Sequence, residues 1–284
     1  MKIDIVCPLY KAEKYIDGFI QKLNMQKDVD IQTVVFPLTR TNGCEKVAEK
    51  IESAGYTYFY VEPSDFSHSL TREEAIYLYC TQDIVVMLSQ DVVLYDPYAL
   101  SKLVSMIDEK VVFVYGRQVG KKKTIEEYIR HKNYGLTSYV VSGDDVERLQ
   151  IKAFFSSDAF SAYYRPVFIQ LNGYDHADMM MNEDMYYSKK ILDSGYCKGY
   201  AADAVVEHSH AFSFRQLYAR YYETGRWFAE HPEFDEYDAV DSGLKLAFYI
   251  LKMAIKDINF PVLIRWLPDM AARYLGLKMG RRSK

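Results

Sequence analysis

The chain has 284 residues, 49% hydrophobic and 26% charged, with 26 tyrosines and 15 phenylalanines. That is enough to bury a sizeable core, and no long stretch has the composition of a disordered segment. The net charge of −4 is unevenly spread: residues 241–284 hold nine Lys or Arg against Asp241, Asp257 and Asp269, so an acidic body carries a basic tail, which argues against a nucleic-acid partner.

IDIVCPL predicts a strand, and AEKYIDGFIQKLNM a helix with Tyr15, Ile16, Phe19, Ile20 and Leu23 at one-faced spacing. IQTVVF predicts a second strand, RTNG a turn, and CEKVAEKIESAG a second helix closed by Gly55. TYFYVEP is a third strand, and Thr71 with Glu74 forms a capping box that starts the helix EEAIYLYC. DIVVMLS is a fourth strand, followed by a helix near 97–109 from Pro97 and the strand VVFVY. Repeated β–α units of this kind predict an α/β fold with a mostly parallel sheet flanked by helices.

The four cysteines, Cys7, Cys44, Cys80 and Cys197, lack CxxC spacing, which argues against a zinc ribbon or a disulfide framework and fits a reducing cytoplasm. MKIDIVCPLY enters the first strand pattern without a signal-type apolar region, and no stretch reaches the ~20 apolar residues of a membrane span.

Open parallel sheets bind ligands beyond the carboxyl ends of their strands, which is where LSQD delivers Asp91. Taken alone, such an aspartate is more often a cap or turn carboxylate. Further polar clusters shift that balance. DFSHSLTREEA sets His68 and Arg72 at a helix start, where free N–H groups and a basic side chain suit a phosphate or simply cap a surface loop. YGRQ places Arg117 and Gln118 at the end of an apolar strand, on the same sheet edge as Asp91. FFSSDAFSAYYR alternates like an edge strand ending at Arg165. NEDM opens a helix with Glu183 and Asp184, which the helix dipole favours and which also suit a general base. AVVEHSH puts His208 and His210 on one face of a strand, where one of them with Asp91 suits a divalent metal.

In order, IVCPLYKAE, DFSHSLTREEA, LSQDVVL, YGRQ, FFSSDAFSAYYR, NEDM and VEHSHAFS resemble the family 2 glycosyltransferases, and within them the bacterial rhamnosyltransferase branch. That branch tends to show FNHGGTRN, a TQDA-like strand end, YGRQ, FSNxNSAxRR, an ED motif and HSH. The resemblance implies a GT-A fold, a nucleotide-sugar donor and an inverting displacement at the anomeric carbon. It implies dTDP-rhamnose as donor, with a UDP-hexose as the alternative, and a lipid-linked saccharide as acceptor in surface-polysaccharide assembly. Asp91 then matches the metal-binding aspartate of the DXD-like motif, with His208 completing a Mg²⁺ or Mn²⁺ site. Asp184 matches the base, and Glu183 orients the base or the acceptor. Arg72 and Arg117 would hold the donor, with His68, Gln90 and Gln118 near its diphosphate or sugar and Pro8, Leu9 and Tyr10 near the nucleoside.

Two segments depart from the branch. FPLTRTNG replaces a DSGSTDG-like segment, leaving Thr39 or Thr41 to contact the base, and Ser69 and Leu70 replace two glycines. A sugar nucleotidyltransferase and a non-catalytic binding module compete with this reading. The first should have a Gly-rich first loop, which CPLYKAEK lacks, and the second should lose Asp91, Asp184 or His208, which are all present.

Residues 1–215 are therefore expected to form the catalytic domain and residues 216–284 a helical, basic and aromatic C-terminal region. There Lys245, Lys252 and Lys256 lie on one stripe of the segment LKLAFYILKMAIKDI. Such a tail suits either a helix packed on the domain or an anchor on an anionic membrane surface, placing the chain at the inner face of the cell membrane. The tail's tyrosines would also suit a homodimer contact.

Overall fold

The computed structural model describes residues 1–94, 96–237 and 240–283. Its elements in chain order begin β1 (Lys2–Val6), α1 (Ile16–Asn24), β2 (Asp30–Thr39), α2 (Cys44–Ser53), β3 (Thr57–Val61), α3 (His68–Tyr79) and β4 (Ile84–Leu88). Then come β5 (Val93–Leu94), α4 (Ala99–Val104), β6 (Val111–Val119), α5 (Ile125–Asn133), β7 (Tyr139–Val141) and α6 (Val146–Leu149). The chain continues with β8 (Phe160–Tyr164), α7 (Arg165–Gln170), α8 (Glu183–Asp193), β9 (Cys197–Glu207), α9 (Phe214–Glu230), α10 (Val240–Lys256) and α11 (Phe260–Gly280).

The strands form one sheet in the order β3-β2-β1-β4-β8-β6-β9-β5, with β7 also on β9. The first four are parallel to their neighbours, β8 runs antiparallel between β4 and β6, and β6 is again parallel to β9. Strand alternation divides the core. Ile3, Ile5, Val86 and Leu88 face α1, α2 and α4, whereas Val6, Val85, Met87 and Tyr163 face α3, α7 and α8.

Several expectations need correcting. Helix α3 starts earlier than the TREE capping box, because the Ser67 side chain caps it by accepting from the Leu70 N–H, and Thr71 Oγ1 accepts from the Ser67 N–H. His68 and Arg72 therefore lie within its first turns rather than before them. Helix α4 spans only Ala99–Val104. The FSAYY segment is a central strand, not an edge, since it pairs on both sides. YGRQ does not end its strand: β6 continues to Val119 past a register shift at Gly116 and Arg117.

The C-terminal helices pack on the body. Ile250, Ala254 and Val262 from α10 and α11 bury against Ile125, Tyr128 and Ile129 of α5. Helix α11 lies along α9, running the same way, through a seam of Gly225, Gly276 and Gly280. A Cβ at any of the three would collide with the opposite backbone, at Leu277 O, Tyr218 O and Tyr222 O respectively. Among the described residues no helix is long and apolar enough to cross a membrane.

Candidate active site

Beyond the carboxyl ends of β1, β2 and β4 lies a cavity of about 460 Å³, large enough for a small ligand. Its lining brings together Pro8, Leu9, Tyr10, Thr39, His68, Arg72, Gln90 and Asp91, all expected at the donor or metal site. The Thr39 hydroxyl is buried with no protein partner, so it is available to a ligand at the position where the motif lacks a carboxylate. Gln90 acts through the backbone instead. Its Oε1 accepts from the Tyr10 N–H and its Nε2 donates to the Tyr10 carbonyl, both at 2.8 Å, clasping the loop after β1 to the loop after β4. Arg72 borders the cavity but is engaged by Glu183 at 3.2 Å and by the His68 carbonyl. Arg72 Nη1 also donates to His68 Nδ1 at 2.8 Å, which leaves the imidazole proton on Nε2. Burial and the Arg72 charge push the His68 pKa down to about 3, so His68 is a neutral donor near pH 7.

At one end of this cavity, Asp91 meets two imidazoles. His208 Nε2 lies 3.5 Å from its Oδ1 and His210 Nδ1 lies 3.4 Å from its Oδ2, with all three ligand atoms within 4.8 Å of one another. The two histidines do not sit on a strand face as expected, because β9 ends at Glu207 and both occupy the loop beyond it. His208 remains tied to the sheet through its N–H, which donates to the Val119 carbonyl. Its Nδ1 bonds to Gln118 Oε1 at 2.8 Å, so the ring donates there and turns its Nε2 lone pair toward the carboxylate. Gln118 therefore belongs to the outer layer of the cluster, not to the donor cavity. Although burial raises the Asp91 pKa, its interactions with His208 and His210 outweigh that and lower it overall. Burial and His208 push His210 down to about 4, so the ring is neutral near pH 7 and one of its nitrogens offers a lone pair. A carboxylate facing imidazole lone pairs is an electron-rich arrangement that a divalent cation relieves, and the donor set fits one.

A second cavity, of about 290 Å³, lies on the other side of His210 and has Asp184 in its wall. Asp184 sits in the first turn of α8, where its carboxylate accepts from the Asp158 and Met185 N–H groups. Burial, followed by the charges of Glu183 and Asp158, raises its pKa well above the usual carboxylate range, in the direction a general base needs. Glu183 does not face this cavity. It turns inward to Arg72 at 3.2 Å, and Arg72 also approaches Asp158 at 4.0 Å.

Arg117, expected at the donor, is placed elsewhere. Its charge acts on Tyr200 in the cluster with Tyr115 and Tyr134, and its Nε is buried without a partner. Arg117 and Gln118 pair in consecutive register with Val205 and Val206, so strand alternation sends their side chains to opposite faces of the sheet.

Sequence reading missed Asp158, which accepts hydrogen bonds from Ser161, Tyr163 and Tyr174; a lone acid inside FFSSDAFSAYY was its available signal. It also missed the contribution of the tail. Arg220 and Tyr221 of α9 and Arg273 of α11 line the Asp184 cavity, and nothing in their local spacing points there.

No protein-family model matches the chain. It is 29% identical over 99% of its length, and 90% of the relative's, to the O-antigen chain rhamnosyltransferase RfbN of Salmonella typhimurium. It is 28% identical over 98% of its length, and 88% of the relative's, to WbaN of Salmonella anatum, which has the same description. Its fold is similar to that of the mannosyltransferase PcManGT from Pyrobaculum calidifontis, solved with GDP-Man and Mn²⁺, at TM-score 0.56 and 16% identity over 99% of this chain and 73% of that one. Glucosyl-3-phosphoglycerate synthase from Mycobacterium tuberculosis, solved with UDP, aligns at TM-score 0.53 and 14% identity over 84% of this chain and 82% of that one. Sequence and fold together make the chain a glycosyltransferase of GT-A fold, similar over nearly its whole length to bacterial O-antigen rhamnosyltransferases.

Proposed function

We propose that the chain transfers rhamnose from dTDP-rhamnose to a hydroxyl of a lipid-linked saccharide in surface-polysaccharide assembly, with inversion at the anomeric carbon and with the aid of a divalent cation. The observation that carries this reading is the Asp91–His208–His210 cluster at the junction of two cavities, one lined by the donor motif residues and the other by Asp184. A single inverting displacement needs the base and the leaving group on opposite sides of the reacting carbon, and this arrangement offers both. The relatives named for O-antigen rhamnosyl transfer support the choice of sugar.

Held by Asp91, His208 and His210, a divalent cation would offset the charge of the departing nucleoside diphosphate. Two imidazoles beside one carboxylate favour Mn²⁺ over Mg²⁺, which prefers oxygen alone. The protein's own groups do the rest. Thr39 and the Gln90-clasped Tyr10 loop seat the nucleoside end, neutral His68 donates a hydrogen bond, and Asp184 takes the proton from the acceptor hydroxyl.

A thermal-shift screen of dTDP-rhamnose, UDP-glucose, UDP-galactose and UDP-GlcNAc, with and without Mn²⁺, tests the donor. We expect dTDP-rhamnose with Mn²⁺ to raise the melting temperature most, since a ligand bound only by the folded chain must stabilise it. A larger shift with a UDP-sugar would reassign the donor, and no shift with any would favour a binding module that has lost its ligand.

The acceptor reading extends to the tail. Leu244, Phe248 and Ile255 of α10 and Ile264 and Leu267 of α11 are exposed, with Phe248 at 66% and Ile264 at 77%, beside Lys252, Lys256 and Arg265. Such a surface suits the interface of an anionic bilayer, where a lipid-linked acceptor resides. The chain should co-float with phosphatidylglycerol vesicles but not with phosphatidylcholine ones. Phe248→Asp with Ile264→Asp should weaken that binding about tenfold or more. Absence of co-flotation in the unaltered chain would sink the idea.

A further inference from the structure

Lys198 of β9 is a fully buried lysine without a carboxylate in contact among the described residues, an expensive arrangement unless it serves the site. Its Nζ donates to the Phe155 carbonyl at 2.5 Å and lies 5.5 Å from the centre of the Tyr115 ring. Phe155 begins the segment that leads through Ser156, bonded to Ser188 of α8, to Asp158, whose N–H donates to Asp184. Phe155, Ser156 and Ser157 also line the Asp184 cavity. One end of this short segment is thus tied to Lys198 and the other to the base.

The charges around it complete the argument. Asp184 and Glu183 come from α8, Asp158 from the segment before β8, and Arg72 from α3; Tyr115 of β6, Tyr139 of β7 and Tyr134 just after α5 form the neighbouring phenol cluster. Glu183 and Asp158 engage the Arg72 guanidinium, and Asp184 must lose its proton in the company of those two carboxylates. We propose that Lys198 is a positioning residue for the base: it anchors the 155–158 segment that holds Asp184 and adds a buried positive charge from the sheet side, while Glu126 and Arg130 of α5, Arg220 of α9 and Arg273 of α11 face Asp184 across the cavity. The inference rests on the reading of Asp184 as base. Burial pushes the Lys198 pKa down to about 7, and the Asp184 charge opposes that fall, so the two groups titrate against each other.

The sign follows directly. Removing the Lys198 charge raises the proton affinity of Asp184, so the acid limb of the rate profile must move to higher pH. We expect Lys198→Gln, which retains a donor for Phe155, and Lys198→Met both to shift that limb upward by about one unit. A folded Lys198→Gln variant with an unshifted limb would make Lys198 merely structural. A second measurement needs neither substrate nor a substituted lysine. In the chain labelled at lysine Nζ, one resonance should titrate near pH 7, and Asp184→Asn should move it lower. No lysine titrating in that region, or one indifferent to Asp184→Asn, overturns the proposal. Loss of all turnover in unaltered protein would instead count against the function reading and leave this titration to decide on Lys198.

Discussion

Asp91→Ala should lower turnover by about 10³-fold or more and abolish the Mn²⁺-dependent part of donor stabilisation. The magnitude follows from charge. A cation at a developing diphosphate contributes several kcal/mol, and every 1.4 kcal/mol is about tenfold in rate. Asp91 is the sole carboxylate of the cluster identified among the described residues, and without it two neutral imidazoles would hold a divalent ion far more weakly. Because Asp91 is only partly buried, its removal should leave the fold intact. Measuring kcat together with melting temperature in a Mn²⁺ titration separates the outcomes. Full turnover with unchanged Mn²⁺ stabilisation would return Asp91 to the status of a turn carboxylate.

On the proposed mechanism, Asp184→Asn addresses the acceptor side of the displacement. Proton removal by a positioned base is worth about 10²–10⁴-fold, so kcat should fall within that range. The donor KM should stay within about threefold, because Asp184 lines the second cavity and not the donor cavity. The amide oxygen keeps only one of the two N–H bonds that the carboxylate accepts at separate oxygens from Asp158 and Met185, so melting temperature is measured beside kcat to confirm that the first turn of α8 survives. A variant that instead weakens donor binding while retaining kcat would place Asp184 among the donor contacts.

The first four strands and their helices were legible because apolar periodicity and turn residues suffice to mark β–α units, and Gly55 does follow α2 with a φ of 76°. The placement of Asp91 after β4 and of Asp184 in the first turn of α8 was also legible, since a polar group at the boundary of an apolar element stands out. What failed was anything fixed by register or by distance in sequence. FSAYY alternates as an edge strand would, yet it is central, because long-range pairing with β4 and β6 covers both of its edges. Arg117 and Gln118 are neighbours in YGRQ and point to opposite faces of β6, but only the long-range packing reveals that Gln118 meets His208 and Arg117 a tyrosine cluster. Lys198 sits in CKGYAADAVVE with no motif around it, and its meaning comes entirely from Phe155, more than forty residues away.

On the proposed reading of the Asp184 cavity as the acceptor side, the glycine seam between α9 and α11 bears on how acceptor preference can change. With main chain resting on main chain at Gly225, Gly276 and Gly280, there is no layer of side chains to compress, and the two helices form a single stiff jaw. Arg220 and Tyr221 sit on one half of that jaw and Arg273 on the other, opposite Asp184. The gap between the jaw's two halves is set by atomic radii rather than by rotamers. New acceptor preferences must therefore arise by exchanging the teeth, at positions such as 220, 221 and 273, because the jaw itself has no room to close further.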